Sequence, residues 1–419
     1  MSIVRNIDQI ATSSLRRDAL AIVEAAYTAI DTEQVIHSKM SLEGDVLRVD
    51  DRSYDLSAFE RVKVFGVGKA SCKAVQTIES ILKEHISSGL AIDVRGGICD
   101  IVEVVKGTQP RPSPENVAVS GRMVDMANDC NEKDLVIVVV SGGGSSLLCW
   151  PIGECEQGGR FFDEAERSGM TIEEMNVVRR HLSSVKGGGL AAMLHLSTVI
   201  GLIFCDVPGD YFADVASGPT YFDASTITDA QAILDRYHLE GYTLGETPKD
   251  AELFDRVHNV QMVSNTKALD AMRERAQELG YESIDAGSDI NDDPKETISA
   301  LLALAQQKTA VIGGGETVLK VVGNHGKGGR CQYLALEALK MISQGDVFVP
   351  FASDGIDNCD AAGVIVDDET RAKAKVHNLS IDAALESFNT YDFFETTGDL
   401  FFTGTTDANV SDLYILLRG

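Results

Sequence analysis

The stretch LVIVVVSGGGSS, residues 135–146, constrains the fold more than any other. Six consecutive apolar residues, most of them β-branched, leave no polar face for solvent. Such a run suits a strand covered on both sides, as in a parallel sheet flanked by helices. It breaks at three glycines and two serines, the composition of a tight strand-to-helix turn. VKVFGVGKAS at 62–71 and TVIGLIFCDVPGD at 198–210 have the same form, and LAIDV at 90–94 supplies another strand. These runs alternate with helix-like segments, which predicts an α/β fold with a doubly wound sheet. In such sheets ligands sit beyond the carboxyl ends of the strands. All three glycine or aspartate clusters fall there.

A chain of 419 residues with 38 glycines fits two α/β domains. Residues 14–40 carry helical spacing. After ASGPT (216–220) the texture turns polar and broken over 221–255, which predicts a first domain over 1–250 and a second over 251–419. The second opens with a strand-helix unit at NVQMVSN. It continues through TAVIGGGE (309–316), GNHGKGGRCQYLALEAL (323–339) and VFVPFASDGIDN (347–358).

The net charge of −27 argues against nucleic acid and anionic membranes as partners. An anionic substrate then requires locally focused cations. The eight cysteines form no CxxC and no zinc-like spacing, so they read as reduced thiols of a cytoplasmic protein. The start lacks the apolar core of a signal peptide. The uncharged stretch 135–153 is too rich in glycine and serine for a membrane span.

GVGKAS, Gly66–Ser71, approximates a dinucleotide fingerprint, with Asp93 on the next strand where a ribose-binding acid would sit. Lys69 inside the turn favours an anion instead, since it adds an ammonium to free amides at a helix start. A tight turn with a solvated lysine would look the same. The loop Ser141–Ser146 can aim several amides at one anion. It is no Walker A loop, and Leu147 replaces the glycine that a nucleophile elbow needs. In NVVRRHLSSVKGGGLA, Arg179, Ser183 and Lys186 fall at i, i+4 and i+7, one face of a helix that suits a carboxylate or phosphate. His181 reads as structural. Asp206 and Asp210, and the group Asp354, Asp357 and Asp360, are carboxylates at strand ends. They suit Mg²⁺, a hydroxyl, or simply a turn. Glu316, Lys327 and Arg330 complete the polar set.

Together these motifs resemble the glycerate 2-kinase family of the MOFRL type, also known as hydroxypyruvate reductase-like. GVGKAS, SGGGSSLL, NVVRRHLSSVKGGGLA, DVPGD with ASGPT, GGGETVLKVVGNHGKGGRCQ, SDGIDNCDAAG and GDLFFTGTTDANVSDL run in the family's order from residue 66 to 413. The resemblance implies ATP- and Mg²⁺-dependent phosphorylation of D-glycerate at its 2-hydroxyl. It implies a larger Rossmann-like N-terminal domain and a smaller C-terminal α/β domain, with the site in the cleft between them. The family's key lysine and arginine match Lys69 and Arg330. Cys205, Cys331 and the histidine-free QPRPSP depart from its usual pattern. On this basis Ser141, Gly142, Gly143, Gly144, Ser145, Ser146 and Lys186 are expected at the nucleotide phosphates. Lys69 and Arg330 are expected at the glycerate carboxylate or the transferring phosphoryl group. Gly68, Ser71, Arg179 and Glu316 are expected at the substrate. Asp206 or Asp354 would hold Mg²⁺ or accept the hydroxyl proton. A homodimer is left open. Two other readings compete: an NAD(P)-dependent hydroxypyruvate reductase using Gly66, Gly68 and Asp93, and a non-catalytic sugar-phosphate sensor.

Overall fold

The computed structural model describes residues 2–207, 210–321 and 325–419. Parts of two motifs, at 208–209 in DVPGD and at 322–324 before GKGGR, lie outside them. The described residues form two compact units, each α/β. None of their helices is long and apolar enough to cross a membrane.

One unit comprises Thr32–Val207 and Tyr211–Met262. Its sheet holds β1 (Arg61–Val67), β2 (Ile86–Asp93), β3 (Val102–Lys106), β4 (Asp134–Val140), β5 (Thr198–Phe204) and β6 (Val257–Val263). The spatial order is β3-β2-β1-β4-β5-β6, the Rossmann order. β1 pairs in parallel with β2 and β4, and β4 with β5. The reason is visible in β4, all of whose seven residues are buried. Val136, Val138 and Val140 join one hydrophobic cluster, while Leu135, Ile137 and Val139 are buried on the other face. The order reverses between β1 and β4, so the loops after these two strands flank the crevice where such sheets bind ligands. A three-stranded antiparallel sheet covers residues 40–55.

The other unit comprises residues up to Asp31 together with Val263–Gly419. Its strands are β7 (Glu282–Asp285), β8 (Thr309–Gly315), β9 (Asp346–Ala352), β10 (Gly363–Val364), β11 (Leu400–Phe401) and β12 (Asp412–Arg418), in the order β7-β8-β12-β9-β10-β11. The last strand of the chain lies between β8 and β9 and runs antiparallel to both.

This division departs from the expected boundary at 250 in two ways. β6 adjoins β5 in the first sheet. The long N-terminal helix α1 (Ser14–Ala29) packs against a helix of the second unit, Asn265–Glu278. Arg16 explains the second departure. It is fully buried, donating to Asp367 at 2.7 and 2.6 Å and to Asp399 at 2.8 Å. Both carboxylates lie more than 350 residues away in sequence.

Candidate active site

The loop after β1 and the loop after β4 are stitched together. The amide of Lys69 donates to the Gly142 carbonyl at 2.9 Å, and that of Ala70 to the Ser141 hydroxyl at 3.1 Å. The Ser141 hydroxyl itself donates to the Val67 carbonyl. Gly68 has φ +116°, and a Cβ there would fall 2.2 Å from the Ser141 hydroxyl. Glycine is therefore needed for the close approach. The Lys69 side chain runs past the second loop, its Cγ 3.4 Å from where Gly143 would carry a Cβ. The expected pairing of Lys69 with the glycine loop is thus present within one unit.

The chain after β4 passes through Gly143 at φ +77° into a single helical turn, α2 (Gly144–Leu147). Within this turn the amide of Gly144 donates to Ser141, and those of Ser146 and Leu147 to Gly143. Among the described residues no group accepts from the amides of Gly142, Gly143 and Ser145. Unclaimed amides at a strand-to-helix turn form a cradle for an anion. Asp206, beyond the end of β5, lies beside the same loop: a Cβ on Gly142 would fall 2.0 Å from its carboxylate.

Ser145 and Ser146 face elsewhere. The Ser145 hydroxyl meets that of Ser217 at 3.0 Å, and Ser146 donates to the Pro110 carbonyl. Ser217 and its neighbour Ala216 hold left-handed backbone, φ +59° and +52°, a cost that clusters at functional sites. Amides of Gly187 and Gly188 anchor this segment through the carbonyls of Ser217 and Gly218. Ser145 and Ser146 also line a cavity with Arg179 and Lys186.

Five expectations change on inspection. Ser141 is buried and spent on joining the loops, not on a nucleotide. Ser71 is fully buried, its hydroxyl directed at the carbonyls of Gly68 and Ile92, so it closes the turn instead of meeting substrate. The helix carrying Arg179, α4 (Ile172–His181), ends before Ser183 and Lys186, so the three do not share a helical face. Lys186 is buried and donates to Glu154 and the Leu148 carbonyl, which makes it part of the cavity wall. Finally, Cys149 and Cys155, expected as thiols, form a disulfide. It spans the first turn of α3 (Ile152–Ser168), next to the same cavity.

In the second unit Arg330 starts α5 (Arg330–Met341). It donates to Glu316 at 2.6 Å and to Asp412 at 3.1 Å. Burial opposes its charge, but the two carboxylates outweigh it and hold its pKa above the usual range. Asp412 is buried, which pushes its carboxyl up to about 8 despite Arg330. Asp357 accepts from the amides of Cys331 and Gln332 and caps α5, a structural duty. Asp354 is half-buried and accepts from the Ile356 amide at 3.0 Å, an Asx-turn.

The chain matches the family described as a domain of unknown function, DUF4147, over residues 18–247, and the MOFRL family over 309–412. It is 30% identical to glycerate 2-kinase of Pyrococcus horikoshii over 96% of this chain and 97% of that one. A crystal structure of glycerate kinase from Thermotoga maritima superposes with a TM-score of 0.84 at 30% identity, covering 97% of this chain and 100% of the other. The chain belongs to the glycerate 2-kinase family.

Some members of this family carry a hydroxypyruvate reductase name, including one from Agrobacterium vitis that is 30% identical over 86% of this chain and 87% of its own. The structure gives Asp93 a different duty from ribose binding. It is fully buried and accepts from the amides of Cys72 and Arg95, each at 3.0 Å. It thereby anchors the helix that follows β1. Glu154 and Asp412 were not singled out from the sequence. Glu154 sits in a segment read only as an uncharged run and its sequel. Asp412 lies inside a quoted motif, but nothing local marks it as buried.

Proposed function

We propose that this protein is an ATP-dependent D-glycerate 2-kinase acting in the cytoplasm. The observation that carries the reading is the Lys69 side chain alongside three unclaimed loop amides at the switch point of a Rossmann-ordered sheet. Phosphoryl transfer needs positioning and charge neutralisation more than covalent chemistry from the protein. The amides of Gly142, Gly143 and Ser145 would cradle nucleotide phosphate, with Lys69 countering the charge of the transferring group. Arg330 matches the family's key arginine, and Glu316 would orient it.

Among the described residues no three His, Cys, Asp or Glu side chains gather into a metal site. Mg²⁺ in kinases commonly takes only one or two carboxylates and completes its shell with phosphates and water. Asp206 beside Gly142 fits that need, and Asp354 is the second candidate. When bound, the metal would neutralise phosphate charge. A carboxylate without a metal to hold would instead accept the proton of the 2-hydroxyl.

The test is direct. The purified chain is incubated with ATP, Mg²⁺ and D-glycerate, and ADP and the phosphoglycerate isomer are followed. NADH oxidation with hydroxypyruvate is followed in parallel. Glycerate-dependent ADP with 2-phosphoglycerate is expected. NADH oxidation without ADP formation would sink the reading.

A further inference from the structure

The cavity beside Ser145 and Ser146 contains a cation with no counter-ion. Arg179 is partly buried on α4, its guanidinium 5.9 Å from the Phe162 ring centroid. Among the described residues no carboxylate lies within ion-pair distance of it and no group accepts a hydrogen bond from it. Burial pushes its pKa down to about 10, with only exposed Glu166 acting against this. Its neighbours do not supply the missing charge. Lys186 and Glu154 line the same cavity but neutralise each other in a buried pair. The site therefore carries a net charge near +1, and the Ser145 and Ser146 hydroxyls at its edge are spent on Ser217 and the Pro110 carbonyl, which leaves Arg179 as the donor to a ligand.

An unmatched, partly desolvated guanidinium is costly unless an anion arrives. One positive charge matches a monoanion, whereas a nucleotide polyphosphate carries several negative charges. The planar fork of arginine also fits the two oxygens of a carboxylate. We propose that Arg179 binds the carboxylate of the 2-hydroxy acid acceptor and so restricts the enzyme to acids over neutral alcohols. This rests on the kinase reading and deepens it. The loop after β4 then works on two sides: its glycine amides serve phosphate beside Lys69, and its serines wall the cavity that holds Arg179.

The test measures equilibrium binding to the full chain by calorimetry, with D-glycerate, ATP, glycerol and inorganic phosphate as separate titrants. The Michaelis constants for acceptor and nucleotide are measured alongside. Wild type should bind D-glycerate and not glycerol. Arg179→Met should weaken D-glycerate binding and raise its KM by about 10- to 100-fold, with the KM for ATP nearly unchanged. Arg179→Lys, which keeps the charge but loses the fork, should fall between the two. It also stands in if circular dichroism shows that Arg179→Met is unfolded. The proposal is overturned if Arg179→Met weakens ATP or inorganic phosphate instead of D-glycerate, or if acceptor affinity is unchanged in either variant. D-glycerate binding that depends on Arg179 without any ADP formation would sink the kinase reading and leave the carboxylate site standing.

Discussion

Arg179 and Arg330 sit in different units and in opposite electrostatic states. Arg330 is gripped by Glu316 and Asp412 and its charge is reinforced. Arg179 has an aromatic neighbour and a neutralised ion pair around it, and its charge is weakened by burial. A gripped arginine keeps a fixed orientation before any ligand arrives, which suits a group that must meet charge as it develops in a transition state. An unmatched arginine gains most from a ground-state anion, which suits recognition. The contrast therefore separates turnover from selection. Arg16, fully buried between two carboxylates, is a third case in which the charge serves only the fold.

The largest expected effect is at that third arginine. Arg16→Met leaves Asp367 and Asp399 buried without their cation and should cost about 3–5 kcal/mol of stability. The urea midpoint measures it, and an unchanged midpoint would show that burial has not made the pair structural. Next come the two residues that match the family's key cations. Lys69→Ala or Arg330→Ala should each lower kcat by roughly 10²–10³. Steady-state turnover near wild type in a folded variant would place that side chain outside the reaction and erase the contrast with Arg179. Gly143→Ala comes third. It forces a side chain into left-handed backbone and toward the side-chain amide oxygen of Gln109, 2.2 Å away, at about 1–2 kcal/mol. The KM for ATP should rise beyond any drop in melting temperature.

The last effect is a slope with pH. Asp412 holds its proton more tightly when folded, with a pKa of about 8 against an ordinary 3.8. The folded state therefore binds more protons than the unfolded state between these values, and stability falls as pH rises across that window. Asp412→Asn removes this dependence. Its melting temperature relative to wild type should climb from pH 5 to pH 8, and a flat difference would mean that Asp412 is ionised throughout because Arg330 prevails.

The first unit was largely legible in the sequence because its signal is local. Strands buried on both faces write unbroken apolar runs, and the three glycine or aspartate turns mark where they end. Lys69 beside the glycine loop follows from the pairing of β1 with β4. The second unit was less legible. LYILLR forms a buried strand that went unread, and nothing in it says that it inserts antiparallel between β8 and β9. Charge partners were harder still. Lys186 looked like a phosphate ligand because Glu154, 32 residues earlier, does not announce that it folds against it. Arg179 reads in the sequence as a substrate contact sharing its work with Ser183 and Lys186, because an absence of partners cannot be read from spacing. The helical face drawn through Arg179, Ser183 and Lys186 failed since α4 stops at His181, two residues before the serine.

The position of α1 has a practical consequence for anyone dividing this molecule. The unit holding Arg330 is not one continuous piece of chain. A fragment beginning at residue 263 would retain Asp367 and Asp399 in their buried places and lose the guanidinium that neutralises them. Such a fragment should be soluble only with α1 supplied in trans or spliced to its end. The chain's opening thirty residues are thus inherited by the unit that its far end builds.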